Sequence, residues 1–181
     1  SFPTRRSSDL ALETTLLKSV KSQMVSDVPL GIFLSGGIDS SLIASLAQDC
    51  TNEPIKTFTI GFDNSSFDES PFAQRVAEHL KTTHSKINVT EDDALNLIPK
   101  LALIYDEPFS DSSQIPTYFV CKSAKNHVSV ALSGDGADEL FGGYNRYISS
   151  KAIWKKVSWI PRFVRVGIGW CILHIPTTFI D

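Results

Sequence analysis

A strand-like apolar run that ends in Ser-Gly-Gly and leads directly into a helical pattern constrains this chain more than any other feature. The run occupies residues 31–41 and reads GIFLSGGIDSS. Two glycines at such a turn let the backbone come close to a ligand and adopt φ angles that other residues avoid. The helix that follows offers unpaired N–H groups and the positive end of its dipole, and three serines add hydroxyl donors. The sequence therefore predicts a phosphate or pyrophosphate site at residues 35–41.

An acidic residue, Asp39, stands inside this turn, and the phosphate-binding lysine of a Walker A loop is missing. An acid beside a phosphate site is explained if a magnesium ion lies between the two. The alternative is a Gly/Ser turn that joins a buried strand to a helix and binds nothing, since short motifs of this kind recur by chance.

Size and charge narrow the classes of protein to which the chain can belong. Its 181 residues suffice for one α/β domain with a sizeable core. A net charge of −3 provides no basic field, so we expect no nucleic acid partner. The cysteines are odd in number and lack CxxC spacing, which favours reduced thiols in a cytoplasmic protein over a disulfide framework or a zinc site. They are Cys50, Cys121 and Cys171.

The two ends of the chain differ from its middle. Residues 1–10 read SFPTRRSSDL, a polar and turn-like stretch that we interpret as a non-native leader and exclude from fold reasoning. Residues 151–181 are interpreted as the truncated start of a helical C-terminal region. Their apolar part is interrupted by Pro161, Arg162 and Pro176, so we expect no membrane span.

Helical and strand-like patterns alternate along the chain, which predicts an α/β fold with an open parallel sheet covered by helices on both faces. The predicted helices are 11–25, 38–49, 68–81, 92–105 and 115–126, and the predicted strands are 30–35, 55–62, 84–89 and 128–132. A capping box is predicted over 66–69. The predicted inner faces are Ile38, Leu42, Ile43 and Leu46 in the second helix, and Phe72, Val76 and Leu80 in the third.

A second Ser-Gly turn follows the last predicted strand. Residues 130–144 read VALSGDGADELFGGY, with acids at Asp135, Asp138 and Glu139. Ligands of open parallel sheets bind at the carboxyl ends of the strands, so we expect both Ser-Gly turns to face one crevice. A magnesium ion shared by Asp39 and Asp138 and by pyrophosphate oxygens would explain the paired acids. The alternative is a solvated helix N-terminus, where the dipole favours acids.

Four segments in this order resemble the synthetase domain of the glutamine-dependent asparagine synthetase family, within the ATP pyrophosphatase (pyrophosphate-loop) superfamily. They are SGGIDSS at 35–41, SFDES…VAEHLKTTH at 66–84, DEPFSDSSQIPTYFV at 106–120 and LSGDGADELFGGYNRY at 132–147. The resemblance covers 11–150 and implies an incomplete synthetase domain with an adenine nucleotide alpha hydrolase-like fold. GMP synthetase, NAD synthetase, argininosuccinate synthetase and tRNA-thiolating enzymes share the first motif, whereas the LSGDGADELFGGY and DEP-x-x-D-S-S segments indicate the asparagine synthetase branch.

The resemblance also implies a role for each matching residue. Leu34 and Ile60 match positions that hold the adenine, with core packing as the alternative role. Ser133 and Gly134 match a backbone contact to the nucleotide. The pyrophosphate loop corresponds to Ser35, Gly36, Gly37, Ser40 and Ser41.

Three acids complete the implied site. Asp39 and Asp138 match the acids linked to magnesium. Asp135 stands where some members carry Glu, and the residue at this position supports formation or capture of the acyl-adenylate.

The activity implied is ATP-dependent amidation of aspartate to asparagine through a β-aspartyl-AMP intermediate, with Mg²⁺. Ammonia would come from glutamine through a glutaminase domain that these 181 residues do not include, so the resemblance implies a fragment of a cytoplasmic enzyme that is a possible homodimer. Neither nucleic acid nor a membrane is an expected partner. Two alternatives remain open: an amidotransferase that acts on another carboxylate, as in surface polysaccharide synthesis, and a nucleotide-binding module without catalysis.

Overall fold

Four parallel strands form the sheet within the part of the chain that the computed structural model describes, residues 6–63, 68–107 and 111–174. The strands are β1 (Leu30–Phe33), β2 (Lys56–Phe62), β3 (Thr83–Val89) and β4 (Val130–Leu132). Their order is β3-β2-β1-β4, so β1 has β2 on one side and β4 on the other. This confirms the predicted open parallel sheet and places the reversal of strand order at β1.

The helices follow the predicted alternation, with some shifted ends. They are α1 (Ser7–Gln23), α2 (Ile38–Asp49), α3 (Ser70–Leu80), α4 (Glu91–Leu97), α5 (Leu101–Ile104), α6 (Gln114–Ala124), α7 (Ala137–Phe141), α8 (Asn145–Val157) and α9 (Arg162–Leu173), with a 3₁₀ turn at Ile98–Lys100. The bounds predicted for α2 are confirmed. One predicted helix, 92–105, is instead divided into α4, the 3₁₀ turn and α5, because Pro99 lacks an N–H group and clashes with the preceding turn.

The start of α3 also differs from its prediction. The helix begins at Ser70 because the Asp68 carboxylate accepts a hydrogen bond from the Ser70 N–H at 3.0 Å. The capping box predicted over 66–69 includes residues 66 and 67, which lie outside the described residues. At the other end of the chain, α1 begins at Ser7, inside the segment 1–10, whose interpretation as a leader stays a prediction.

The chain divides into two compact units, Ser1–Asp135 and Gly136–Asp181. The first contains the sheet with α1 to α6, and the second contains α7 to α9. The domain range 11–150 stays a prediction.

The free thiols Cys50, Cys121 and Cys171 agree with the expectation of reduced cysteines. Within the described residues, no helix combines the length and apolar character needed to cross a membrane.

Helices cover both faces of the sheet, as consecutive residues of β1 show. Ile32 belongs to a core cluster with residues of α1, α2 and α3, whereas Phe33 packs beside Phe58 and the α6 residue Ala124. Because successive side chains of a strand point to opposite faces, these clusters lie on opposite sides of the sheet. A third cluster joins Val89 of β3 to residues of α4 and α6.

The inner faces of α2 and α3 consist mainly of small residues, which the sequence reading missed. Ala44 and Ala47 of α2 are fully buried, as is Ala73 of α3. The predicted inner positions Ile38 and Phe72 are wrong, since these side chains are 87% and 53% exposed. Leu42 is likewise exposed, whereas Ile43, Leu46, Val76 and Leu80 contribute to the cluster as predicted. Alanine allows a helix to lie close to its neighbours, so the large apolar residues of these helices need not all face inward.

A buried polar group links β2 to β3. The hydroxyl of Thr57, whose residue is fully buried, lies 2.8 Å from the Thr82 hydroxyl and 2.8 Å from Nδ1 of His84. Nε2 of His84 is buried without a hydrogen-bond partner among the described residues. A protonated imidazole carries N–H groups on both nitrogens and would leave one of them unsatisfied. Burial accordingly lowers the pKa of His84 from its usual value of 6.5.

We expect this histidine to make stability depend on pH. Because its pKa is lower in the folded than in the unfolded chain, its contribution is complete above about pH 6.5 and is lost as the pH falls through the folded pKa. The free energy of unfolding, measured by urea denaturation across this window, should fall less steeply for His84→Gln than for the unsubstituted chain. Parallel pH profiles would contradict the assignment.

Candidate functional site

The two Ser-Gly turns predicted from the sequence follow adjacent strands at one edge of the sheet. Ser35 comes two residues after the end of β1, and Ser133 comes directly after β4. In open parallel sheets, ligands bind outside the carboxyl ends of the strands, where the strand order reverses. That reversal lies between β1 and β4 in this chain. The fold thus brings both turns to the location where such proteins bind ligands.

Hydrogen bonds within the first turn fix its shape. The Ser35 and Ser40 hydroxyls lie 2.9 Å apart, and the Ser35 N–H donates to the Ser40 hydroxyl at 3.2 Å. The Gly37 N–H donates to the Ser35 hydroxyl at 3.2 Å, and the Ser40 hydroxyl donates to the Gly37 carbonyl at 3.3 Å. Ser35 and Ser40 therefore build the turn as well as being candidates for ligand contact, a structural role that the sequence did not reveal.

The N–H groups at the start of α2 remain available. Within the described residues, those of Ile38, Asp39 and Ser40 donate to no protein acceptor, as is usual for the first turn of a helix. The helix is 12 residues long, so these donors stand at the positive end of a substantial dipole. Together they can bind an anion such as a phosphate group by donating hydrogen bonds to its oxygens.

Gly36 is required at this turn for two separate reasons. Its φ of +84° lies in the left-handed region that favours glycine. In addition, a Cβ atom there would lie 2.6 Å from the carbonyl carbon of Phe72 and 2.7 Å from its Cβ atom. Gly37, at φ −69°, has an extended conformation that any residue adopts, so the expectation of unusual φ angles holds for only one of the two glycines.

The second turn packs directly against the first turn of α2. A Cβ atom on Gly134 would lie 2.9 Å from the Ser40 nitrogen and 3.0 Å from the Asp39 carbonyl carbon. Only a residue without a side chain permits this approach without a shift of the backbone. The Asp135 carboxylate accepts a hydrogen bond from the Ser133 hydroxyl at 3.0 Å. This bond orients the acid on the same short turn.

Ser41 has a hydroxyl that the described part of the chain leaves unsatisfied. Its Oγ atom is buried and has no hydrogen-bond partner among the described residues. The residue lines a cavity of about 580 Å³ between α2 and α3, together with Gly36, Ser45, Arg75 and His79. A buried hydroxyl without a partner is costly, so Ser41 is a candidate for a hydrogen bond to a bound ligand.

The two residues assigned to the adenine have different surroundings. Leu34 is 1% exposed, its side chain belongs to the core cluster of Ile32, and its N–H donates to the Phe58 carbonyl at 2.9 Å. Ile60 is half-buried against the cluster of Val89. Core packing therefore accounts for the Leu34 side chain and part of Ile60, and the adenine assignment stays a prediction.

The second unit holds the remaining predicted acids. The Asp138 carboxylate has no hydrogen-bond partner among the described residues, whereas the Glu139 carboxylate accepts a short bond from the Tyr144 hydroxyl. This bond lowers the pKa of Glu139 and raises that of Tyr144. The Arg146 guanidinium lies 4.0 Å from the centre of the Tyr144 ring. The spacing of Glu139 and Tyr144 gave no signal of this pair, because the glycines between them set the geometry.

Carboxylates fit the chemistry of a magnesium ion, although no group of three or more potential ligands gathers within the described residues. Magnesium is usually held by one or two carboxylates, with substrate phosphates and water completing its octahedron, so such a group is not needed. Asp39 belongs to the first unit and Asp138 to the second. Their assignment to one ion stays a prediction.

Comparison with known proteins agrees with the resemblance seen in the motifs. The family model described as asparagine synthase matches residues 11–176. Asparagine synthetase [glutamine-hydrolyzing] 1 of Bacillus subtilis is 48% identical over 129 residues, which are 71% of this chain and 20% of the relative. Putative asparagine synthetase [glutamine-hydrolyzing] 2 of Methanocaldococcus jannaschii is 43% identical over 152 residues, 83% of this chain and 29% of the relative. The chain thus spans less than a third of the length of either relative.

Solved structures support the fold. A glutamine-dependent NAD+ synthetase from Acinetobacter baumannii, in complex with ADP, matches 80% of this chain and 28% of its own, with a TM-score of 0.57 and 20% identity. An NMN synthetase from Francisella tularensis matches 75% of this chain and 58% of its own, with a TM-score of 0.54 and 20% identity. These similarities confirm the adenine nucleotide alpha hydrolase-like fold. By the match over most of its length, this chain belongs to the asparagine synthase family.

Proposed function

We propose that this chain is the synthetase part of an enzyme that uses ATP to convert aspartate into asparagine. The observation that carries the proposal is the packing of Gly134 against the start of α2, which brings two Ser-Gly turns together at the reversal of strand order. Membership of the asparagine synthase family supports the choice of reaction. The relatives are named glutamine-hydrolyzing, which supports glutamine as the source of ammonia.

The start of α2 would stabilise the pyrophosphate that leaves ATP. The free N–H groups of Ile38, Asp39 and Ser40 and the helix dipole supply positive potential where negative charge develops. Their positions are fixed before the ligand arrives, because the hydrogen bonds of Ser35 and Ser40 already shape the turn. Such preorganised donors need no rearrangement during the reaction.

The proposed reaction has two steps. In the first, an oxygen of the aspartate side-chain carboxylate bonds to the α-phosphorus of ATP, and the bond from that phosphorus to pyrophosphate breaks, which leaves β-aspartyl-AMP. In the second, the nitrogen of ammonia attacks the acyl carbon, AMP leaves, and the nitrogen loses a proton to give the amide. Activation is needed because a free carboxylate is a poor acyl donor. Asp135, oriented by the Ser133 hydroxyl, is the acid that we assign to formation or capture of the intermediate.

Asp39 and Asp138 are the residues that we propose to hold magnesium. When bound, this ion would neutralise charge on the pyrophosphate oxygens. Each residue offers the hard oxygen ligands that magnesium prefers.

The remaining parts of the proposal concern the complete protein. Ammonia from a glutaminase domain, a homodimer and a cytoplasmic location are proposals that follow from the family. The chain spans less than a third of the length of either relative. The residues that select the acceptor carboxylate therefore need not lie within it. An acceptor other than aspartate is therefore an outcome that the exchange assay below must distinguish.

Replacing Ser41 tests the nucleotide site without disturbing the fold. Ser41→Ala removes a hydroxyl that has no hydrogen-bond partner among the described residues, so the melting temperature should not fall. Loss of a hydrogen bond to a charged phosphate costs about 1.5–3 kcal/mol, so ATP should bind roughly 10- to 150-fold more weakly. Displacement of a fluorescent ATP analogue measures the affinity.

The matched control for this experiment is Ser45→Ala. Ser45 lies one helical turn further along α2 and lines the same cavity. Its substitution should leave the ATP affinity unchanged. Equal affinities for Ser41→Ala and the unsubstituted chain would show that this hydroxyl does not contact the nucleotide.

ATP–pyrophosphate exchange with Mg²⁺ tests the reaction itself on the complete protein. We expect exchange that requires aspartate and is abolished by Asp39→Ala, because the substitution removes a proposed magnesium ligand. Asp49→Ala, an acid at the far end of the same helix, should retain it. Exchange with a different acid in place of aspartate would indicate another amidotransferase, and no exchange with any acid would indicate a nucleotide-binding module.

A further inference from the structure

The end of helix α7 is built around the main chain of Asp138. The N–H groups of Gly142 and Gly143 both donate to the Asp138 carbonyl, at 2.9 and 3.1 Å. Gly142 has a φ of +71°, the left-handed conformation that commonly ends a helix. Two consecutive glycines therefore fold back over the acidic turn of a short helix.

Gly143 is different from its neighbour, because its backbone conformation does not demand glycine. Its φ lies outside the left-handed region, in contrast to those of Gly136 and Gly142. A turn preference thus explains Gly142 but not Gly143.

Gly143 is a glycine because the volume that a side chain would need there is already filled. A Cβ atom built on this residue would overlap Oδ1 of Asp138, and it would lie 3.0 Å from Cγ and 3.4 Å from Cα of the same residue. The carboxylate of Asp138 therefore occupies the volume that any larger residue at position 143 would fill. The two nearest of these atoms belong to the carboxylate, and the nearest backbone atom among them, Cα of Asp138, is at the distance of an ordinary van der Waals contact.

The two acids of α7 are held in different ways. The Tyr144 hydroxyl binds the Glu139 carboxylate, and the Arg146 guanidinium covers the Tyr144 ring. No side chain among the described residues donates a hydrogen bond to the Asp138 carboxylate, in contrast to Glu139. Its Oδ1 atom lies against the Gly143 backbone.

We propose that Gly143 is a positioning residue for the carboxylate of Asp138. It leaves the space in which this carboxylate lies, and a methyl group there turns the carboxylate away by rotation about its own side-chain bonds. The inference rests on the proposed function, in which Asp138 is a magnesium ligand. It predicts that a one-methyl substitution, at a residue with no side chain of its own to bind the ion, weakens metal binding and leaves the fold intact.

Mn²⁺ titration followed by electron paramagnetic resonance, with a non-hydrolysable ATP analogue, tests this on the full chain. Substitutions beside metal ligands commonly cost about 10- to 100-fold in affinity, and we expect Gly143→Ala to weaken Mn²⁺ binding by at least about 10-fold. Its melting temperature should match that of the unsubstituted chain, because the end of a flexible side chain can move away at little cost. Gly167→Ala is the control of equal size, since a Cβ atom there meets nothing within 4 Å.

Asp138→Asn separates failure of the inference from failure of the proposed function. If Asp138→Asn weakens Mn²⁺ binding and Gly143→Ala does not, the positioning role is wrong and the metal assignment stands. If Asp138→Asn has no effect, or the unsubstituted chain binds no Mn²⁺, the metal assignment fails and the inference falls with it. Adding Gly143→Ala to Asp138→Asn should weaken binding no further, and an additional loss would show that the glycine acts by another route.

Discussion

The contact between Gly134 and the first turn of α2 is the constraint on which the site depends. Adjacent parallel strands lie about 4.8 Å apart, so the segments that follow β1 and β4 leave the sheet side by side. They remain in contact only because no side chain stands between Gly134 and the backbone of Asp39 and Ser40. A larger residue would push the second turn away from α2, and Asp135, the next residue of that turn, would move with it.

Backbone geometry and side-chain chemistry have separate tasks at this site. Ser35 and Ser40 form hydrogen bonds with each other and with Gly37, and these bonds hold the first turn in one shape. Anion recognition then falls chiefly to main-chain N–H groups and to the unsatisfied hydroxyl of Ser41. Glycines serve the same arrangement for different reasons: Gly36 provides a left-handed conformation and close contact with α3, whereas Gly134 provides contact alone.

Sequence patterns predicted the architecture well because strands, helices and Ser-Gly turns leave local signals. The bounds of α2 and the parallel sheet follow from such signals and are confirmed. Distances between elements leave no such trace. The burial of Ala44 instead of Ile38 depends on how closely α2 approaches the sheet, and the space at Gly143 depends on where the Asp138 side chain folds. The site residues could thus be proposed from motifs, whereas their structural roles depend on distances between elements that only the structure shows.

Hydrogen–deuterium exchange with and without ATP and Mg²⁺ tests the central claim most directly, because it reports on both turns at once. The account predicts that the nucleotide slows exchange at residues 36–41 and 133–135 together, since both turns face one ligand at the carboxyl ends of β1 and β4. Amides at the opposite, amino ends of the strands should be unaffected. If protection appeared only at the amino ends of the strands, or if neither turn were protected, a nucleotide site at this edge of the sheet would be contradicted.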